Sequence, residues 1–300
     1  MKKYLFIVLL VGICFGQDTL ETSAKNKLSQ METEEDAKEL TEIETKSGNI
    51  FLGTLLGETK NNYKIKTKEG IEINVPKSSV KSFNAIATVE FGDEVWRADP
   101  NKSMYLFAPS AFPIEHNKSY CRDFCLFFPS VNAGFRNSFS LQIGTILLPF
   151  QDFSSLPIII SGKYSLPKID FGRFATGMMY VSIPGEDSSF GTGIAFGTVT
   201  LGDRFTHFSA SLGWGYFRDE GEWEFADEPI FVLAGNMRAS NSIAIVAESW
   251  MPPNEDNFLD LPLMVSIRFI GRKIAVDVGV FLEKDMRGVP LPLINFTYHQ

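Results

Sequence analysis

The chain has 300 residues, 44% of them apolar, and its 36 acidic and 28 basic side chains leave a formal net charge of −8. That balance excludes disorder throughout and argues against a nucleic-acid-binding surface. Outside the first fifteen residues no apolar run approaches the roughly 18 residues of a helical membrane span, whereas 27 phenylalanines and 24 glycines point to β-structure with close backbone approaches.

At the amino terminus, Met1-Lys2-Lys3 gives a positive start, Tyr4 to Ile13 an apolar run, and Cys14-Phe15-Gly16 small residues around a cut before Gln17. This is the layout of a secretory signal over residues 1–16, and its apolar stretch is too short to cross a bilayer. Val11-Gly12-Ile13-Cys14 loosely imitates a lipidation box with a bulky Ile13, so lipidation at Cys14 and an uncleaved anchor are the alternatives to simple cleavage. Export leaves Cys121 and Cys125 in an oxidising compartment. On one strand, four residues of separation puts them about 13 Å apart, beyond bridging distance, so two buried, unbridged thiols are expected.

Residues 17–42 read as a polar acidic linker: between 18 and 46 there are nine acidic and four basic side chains, and Leu28, Met31, Leu40 and Ile43 could stripe at most one weak helix. From 43 to 86 the pattern changes to short alternating runs, such as Ile50-Phe51-Leu52, Tyr63-Lys64-Ile65 and Ile71-Glu72-Ile73-Asn74-Val75 ahead of Pro76. They predict a small curled sheet or SH3-like barrel, a docking module without a catalytic group, followed by a connector over 87–102.

Between 103 and 300, apolar runs recur with connections that alternate between short and long. The short ones are Gly134-Phe135-Arg136-Asn137, Pro167-Lys168-Ile169-Asp170, Gly202-Asp203, Ala239-Ser240-Asn241 and Gly271-Arg272; the long ones lie around 113–118, 149–155, 185–188, 218–228, 252–257 and 284–288. Counting back from the C-terminus gives twelve strands, the first over the apolar run that ends at Phe112 and the second from about 119 to 133. Tight turns at one end and long loops at the other are the rhythm of an up-and-down barrel across an outer membrane.

The runs also alternate with a period of two. Phe190, Ile194 and Phe196 oppose Gly191, Gly193, Ala195 and Gly197; Phe208, Leu212, Trp214 and Tyr216 oppose His207, Ser209, Ser211, Gly213 and Gly215. Likewise Val276, Val278 and Val280 oppose Asp277 and Gly279, and Val265, Ile267 and Phe269 oppose Ser266 and Arg268. Such patterning puts the bulky apolar set toward lipid and the small and charged set inside, and lipid requires closure because an unpaired edge leaves each N–H and C=O without a partner. The last run, Leu291 to His299, carries Ile294, Phe296 and Tyr298 on its outer face, the kind of C-terminal aromatic strand that barrel assembly machinery reads.

Residues 103–300 thus resemble an outer-membrane β-barrel of Gram-negative bacteria, and the opening Tyr105-Leu106-Phe107-Ala108-Pro109-Ser110-Ala111-Phe112-Pro113 is similar to that of an uncharacterised group found among Bacteroidota and similar lineages. The likeness covers about two thirds of the chain. It implies fold and location, with the module in the periplasm, and transfers no active-site residue. The fold class expected is therefore all-β: an up-and-down antiparallel transmembrane β-barrel of about twelve strands after a small SH3-like β-module.

By the alternation, Lys163, Glu248, Arg268 and Asp277 point into the barrel, and Asp123 and Arg173 join them on the same reading. Mixed signs suggest ion pairs that fill a narrow interior, or a constriction that sets selectivity in a small pore. His207 and Ser209, two residues apart on one face, form the single pair suggestive of nucleophilic catalysis, similar to the His-x-Ser pair of outer-membrane phospholipases. They share an inward face with Ser211 and Gly213, and no Asn-Gly follows to supply an orienting group. Phe107, Phe112, Phe124, Phe127 and Phe128 read as girdle or barrel-wall residues, Gly191-Thr192-Gly193 as packing room, and the six acidic residues of 218–228 as a solvated loop with a cation site as the alternative.

The function expected is that of a narrow passive channel or a structural or interaction component of the outer membrane, not an enzyme. An outer-membrane lipid hydrolase using His207 and Ser209, or a secreted soluble β-protein binding a partner, are the alternatives. No cofactor or metal is expected. The partners expected are outer-membrane lipids, barrel assembly machinery and a periplasmic partner of the module, and no nucleic acid.

Overall fold

Strands and turns make up the architecture, and no α-helix occurs among the described residues. The computed structural model describes residues 38–91, 94–97, 99–147, 156–183, 190–219, 222–251, 261–283 and 290–300; the signal segment, Cys14 and most of the acidic linker lie outside them. The chain divides into two units between Ala98 and Asp99.

The first unit is a six-stranded antiparallel sheet: β1 (Lys38–Thr45), β2 (Ile50–Glu58), β3 (Asn62–Lys66), β4 (Glu72–Pro76), β5 (Val80–Phe91) and β6 (Glu94–Arg97), in the order β4-β3-β2-β1-β5-β6, with a 3-10 turn at Lys77–Ser79 before β5. Strand β1 starts inside the stretch read as linker, and β5 and β6 run through the stretch read as connector. The acidic composition hides β1, yet it pairs with β5 from Lys38↔Thr88 to Thr45↔Val80. Its Glu42 is buried and bonded to Arg97 at 2.7 Å. Ile43, Ile65 and Val75 form the core, with Phe51, Tyr63, Ile73 and Val80 packed around them. A side chain at Gly53 would collide with the Lys66 carbonyl, so glycine is what lets the sheet curl there.

The second unit is a closed antiparallel barrel of twelve strands. The wall begins with β7 (Ser119–Phe124), β8 (Phe128–Phe135), β9 (Phe139–Thr145), β10 (Ile158–Ser165), β11 (Arg173–Ile183), β12 (Phe190–Gly202) and β13 (Thr206–Asp219). After a short β14 (Glu222–Phe225) it continues with β15 (Ile230–Ser240), β16 (Ile243–Met251), β17 (Leu263–Ile270), β18 (Ile274–Leu282) and β19 (Leu291–His299). Each wall strand pairs with the next, and β19 closes on β7 from Asn295↔Phe124 to His299↔Tyr120. Strand β14 pairs with the far end of β13, so the acidic 218–228 region is largely a hairpin extension instead of an open loop.

Five short turns, at 136–138, 166–172, 203–205, 241–242 and 271–273, occupy one end of the barrel, where the sequence places them. The first two strands differ from expectation. Residues 103–112 form no wall strand, and the run from 119 to 133 is a hairpin, β7 and β8, folded at Cys125-Leu126-Phe127. The count of twelve stands because one strand is lost and one gained. Cys125 and Leu126 both adopt left-handed backbone, with φ of 54° and 65°, and the turn closes through Phe127 N–H to the Phe124 carbonyl at 3.2 Å. Two central residues at positive φ define the favoured hairpin turn, but its usual Asn-Gly signal is missing here.

Outside, the barrel is apolar: Ile143, Ile160, Met178, Trp214, Phe231, Ile267, Phe269, Val278 and Phe296 are all exposed. Inside, Asn132, Ser140, Lys163, Thr200, Ser209, Asn236, Glu248, Arg268, Asp277 and Asn295 are buried. Strand β12 reverses the expected sense. Its Thr198 and Thr200 are buried with Ile194 and Phe196 in phase, so the bulky side chains point inward and Gly193, Ala195 and Gly197 outward. The reason is cross-strand: side chains at inward Gly177 and Gly213 would collide with Phe196 and Ile194, while side chains at outward Gly191 and Gly193 would collide with the Tyr180 and Tyr216 rings. Size on β12 is set by its neighbours' holes and knobs.

Candidate functional site in the barrel interior

Residues 99–116 enter at the short-turn end and fill the lumen. The segment is anchored at that end by His299 Nε2 bonded to Asn101 Oδ1 at 2.9 Å, and its two limbs are tied to each other by Lys102 paired with Glu115 at 2.7 Å. Its tip is a tight loop, closed by a bridge between Met104 and Pro109 and by Tyr105 N–H donating to the Ala108 carbonyl at 2.9 Å. Tyr105, Leu106, Ala108, Ser110, Ala111, Phe112 and Ile114 are buried. A continuous apolar run of this length imitates a buried strand, and periodicity alone does not separate the two.

Wall side chains hold this plug by its main chain. Glu248, on β16, accepts the N–H groups of Leu106, Phe107 and Ala108 at 3.0, 2.9 and 2.9 Å on one carboxylate oxygen; its other oxygen accepts the Trp250 indole N–H at 2.6 Å. Three successive N–H groups around one oxygen form an anion nest. On β10, Lys163 does the opposite job and donates to the carbonyls of Ser103, Ser110 and Phe112 at 3.1, 2.7 and 2.8 Å. Arg122, on β7, donates to the carbonyls of Leu106 and Tyr105. Arg268, on β17, donates to the Tyr105 carbonyl at 2.8 Å while Asp277, on β18, holds it at 2.6 Å and is itself bonded by Asn295.

Smaller contacts complete the clamp. Thr200 accepts from Ala111 N–H at 2.7 Å and Ser140 from Ile114 N–H at 3.1 Å. The guanidinium of Arg173 lies over the Phe112 ring. Leu106 packs with Ala234, Val246, Met264 and Leu293 into the barrel's apolar cluster, with Phe107 against it. Beside the plug lies a cavity of about 70 Å³, bordered by Phe107, Pro109, Met179, Ile194, Phe196 and Trp250.

The structure gathers Lys163, Glu248, Arg268 and Asp277 around one object, which sequence reasoning did not anticipate: the first three grip a peptide segment, and Asp277 holds Arg268 in the one ion pair among the four. Arg122, an inward residue of β7 in phase with Tyr120, takes the place read for Asp123. One strand over 119–133 carries a single phase, and the unforeseen hairpin resets it. Phe107 and Phe112 belong to the plug instead of to a girdle, and Phe107 packs on Phe124 and Trp250 with ring centroids 5.3 and 5.8 Å away. An aromatic group does occupy the outer surface at the other end of the barrel, where Tyr180 and Tyr216 stack 6.4 Å apart beside Trp223. Cys121 and Cys125 are unbridged, but Cys121 is exposed and Cys125 half-buried in the turn, unlike the buried pair expected.

His207 and Ser209 share the inner face without bonding to each other. The Ser209 hydroxyl lies between Tyr105 and Thr200 hydroxyls at 2.6 Å each, and His207 Nδ1 bonds the Asp203 carbonyl at 3.0 Å with its ring between Tyr105 and Phe112. Among the described residues no group of three His, Cys, Asp or Glu side chains could hold a metal ion. No protein-family model matches the chain, and no curated protein matches it.

Proposed function

We propose that this protein is an exported outer-membrane barrel sealed by its own segment 99–116, a structural or interaction component of that membrane and not an enzyme. One inversion carries the reading: apolar side chains cover the outside of a closed barrel, while its charges are inside and spent on a peptide plug. Water offers no reason to expose such a wall, whereas acyl chains do. Lipids would be its surroundings, and the exposed Ile294, Phe296 and Tyr298 of β19 would serve recognition by barrel assembly machinery. Barrels of this type turn their short connections to the periplasm; because the plug enters from that end, the reading puts the module in the periplasm. Its strand order with a 3-10 turn before β5 supports an SH3-like docking unit for a periplasmic partner.

Fractionation tests location: the protein should stay with the outer membrane and migrate differently on a gel with and without boiling. Recovery in the soluble fraction without detergent would end the proposal. In planar bilayers the refolded wild type should be electrically silent. Lipid hydrolysis should be at background and unmoved by Ser209→Ala, since that hydroxyl is enclosed by Tyr105 and Thr200.

A further inference from the structure

We infer that the lumen is a latent pore for small anions, which conducts while segment 99–116 is withdrawn. This rests on the sealed-barrel reading and assigns a solute class to the space the segment fills. Among the described residues, Arg122, Lys163, Arg173 and Arg268 against Glu248 and Asp277 touch that segment or hold the side chains that do, and Arg238 of β15 is buried on the same inner face. Arg268 and Asp277 neutralise each other. Lys163 is met by carbonyl oxygens of the plug and by no wall carboxylate among the described residues, and Arg122 donates to two plug carbonyls with Asp277 and Glu248 as its nearest wall carboxylates. The negative ends of peptide dipoles therefore stand where anions would stand.

Withdrawal would remove those dipoles and leave the charges, because the charges are fixed on paired strands. The plug is separable in this sense: among the described residues its main-chain bonds to other main chain stay within 99–116 or go to Lys118, and it joins the wall only through side chains. A narrow lumen whose described wall residues carry more cations than carboxylates, enclosed by low-dielectric walls, concentrates anions and repels cations. Inorganic anions such as chloride and phosphate are the class that fits.

The test is single-channel recording of the full chain in an asymmetric KCl gradient, comparing the wild type with a variant whose residues 103–112 are replaced by glycine and serine, every wall charge being kept. The wild type should be silent. The variant should conduct with a reversal potential on the chloride side, and adding Lys163→Gln should move that potential toward zero. Cation preference, absence of preference, or silence of a variant shown to be folded by its gel shift on boiling would each overturn the inference. Should the variant fail to fold, wild-type protein in urea too dilute to open the wall provides the second measurement. Chloride-selective steps there support the inference, and cation-selective steps or silence refute it. Steady conduction by untreated wild type would instead refute the sealed-barrel reading.

Discussion

Glu248 shows what a buried carboxylate needs. Its two oxygens take four N–H donors, three of them consecutive in the plug. Bonds to a charged group contribute about 1.5–3 kcal/mol each, and a buried donor left without an acceptor costs about 1–3 kcal/mol. Glu248→Ala should therefore lower the stability of the folded barrel by about 3 kcal/mol or more, read from urea titration of the unheated gel band. Glu248→Gln keeps an acceptor and should lose about half as much; equal losses would mean that Glu248 is there for packing. Asp277 offers a second case. Asp277→Asn leaves Arg268 buried beside a neutral group, and breaking such a pair costs about 3–5 kcal/mol. The double change Arg268→Met with Asp277→Leu should recover part of that loss in the same titration, because an apolar pair avoids the desolvation that the charges incur while the Tyr105 carbonyl and the Asn295 amide each lose a partner.

Between elements, the informative place is β12. With Phe196 inside and Ala195 outside, a cysteine at 195 should react with a lipid-soluble maleimide in reconstituted protein and a cysteine at 196 should not, both measured in a Cys121→Ser, Cys125→Ser background; the opposite labelling would restore the sense that size alone suggests. The turn at Cys125-Leu126 makes another prediction. Left-handed backbone costs non-glycine residues about 1–2 kcal/mol each, so Cys125→Asn with Leu126→Gly should stabilise the barrel by about 1 kcal/mol in urea titration. These two places also mark where the sequence could be read and where it could not. Turns rich in Gly, Asn and Asp locate five of the hairpins, and strict alternation orients β13, β17, β18 and β19 correctly, because there each small or charged residue faces inward by itself. On β12 the orientation depends on Gly177 and Gly213 in the neighbouring strands, a pairing that no single segment displays. The plug was unreadable for a related reason: Tyr105 to Phe112 is as apolar as a wall strand, and only the placement of Glu248 and Lys163, 140 residues downstream for the first by the Ala108 bond, shows that its main chain is bonded from the side.

The whole molecule consists of two units that meet in sequence at Ala98 and Asp99, the second of which holds its own core, closure and plug. A chain in which residues 1–16 are joined directly to residue 99 should therefore still fold into a barrel whose gel mobility changes on boiling. Loss of that shift would show that the six-stranded module is needed for the barrel to form.

The plug's holders are spread around the circumference, from Arg122 on the first wall strand through Lys163 on the fourth to Glu248 and Arg268 on the ninth and tenth. Until the final strand docks on the first, no half-built wall can present them together. Filling the lumen and completing the cylinder are thus one late event in folding. A nascent chain stalled before that step would trail its amino-terminal stopper as loose polypeptide, open to any protease that a finished molecule would never admit.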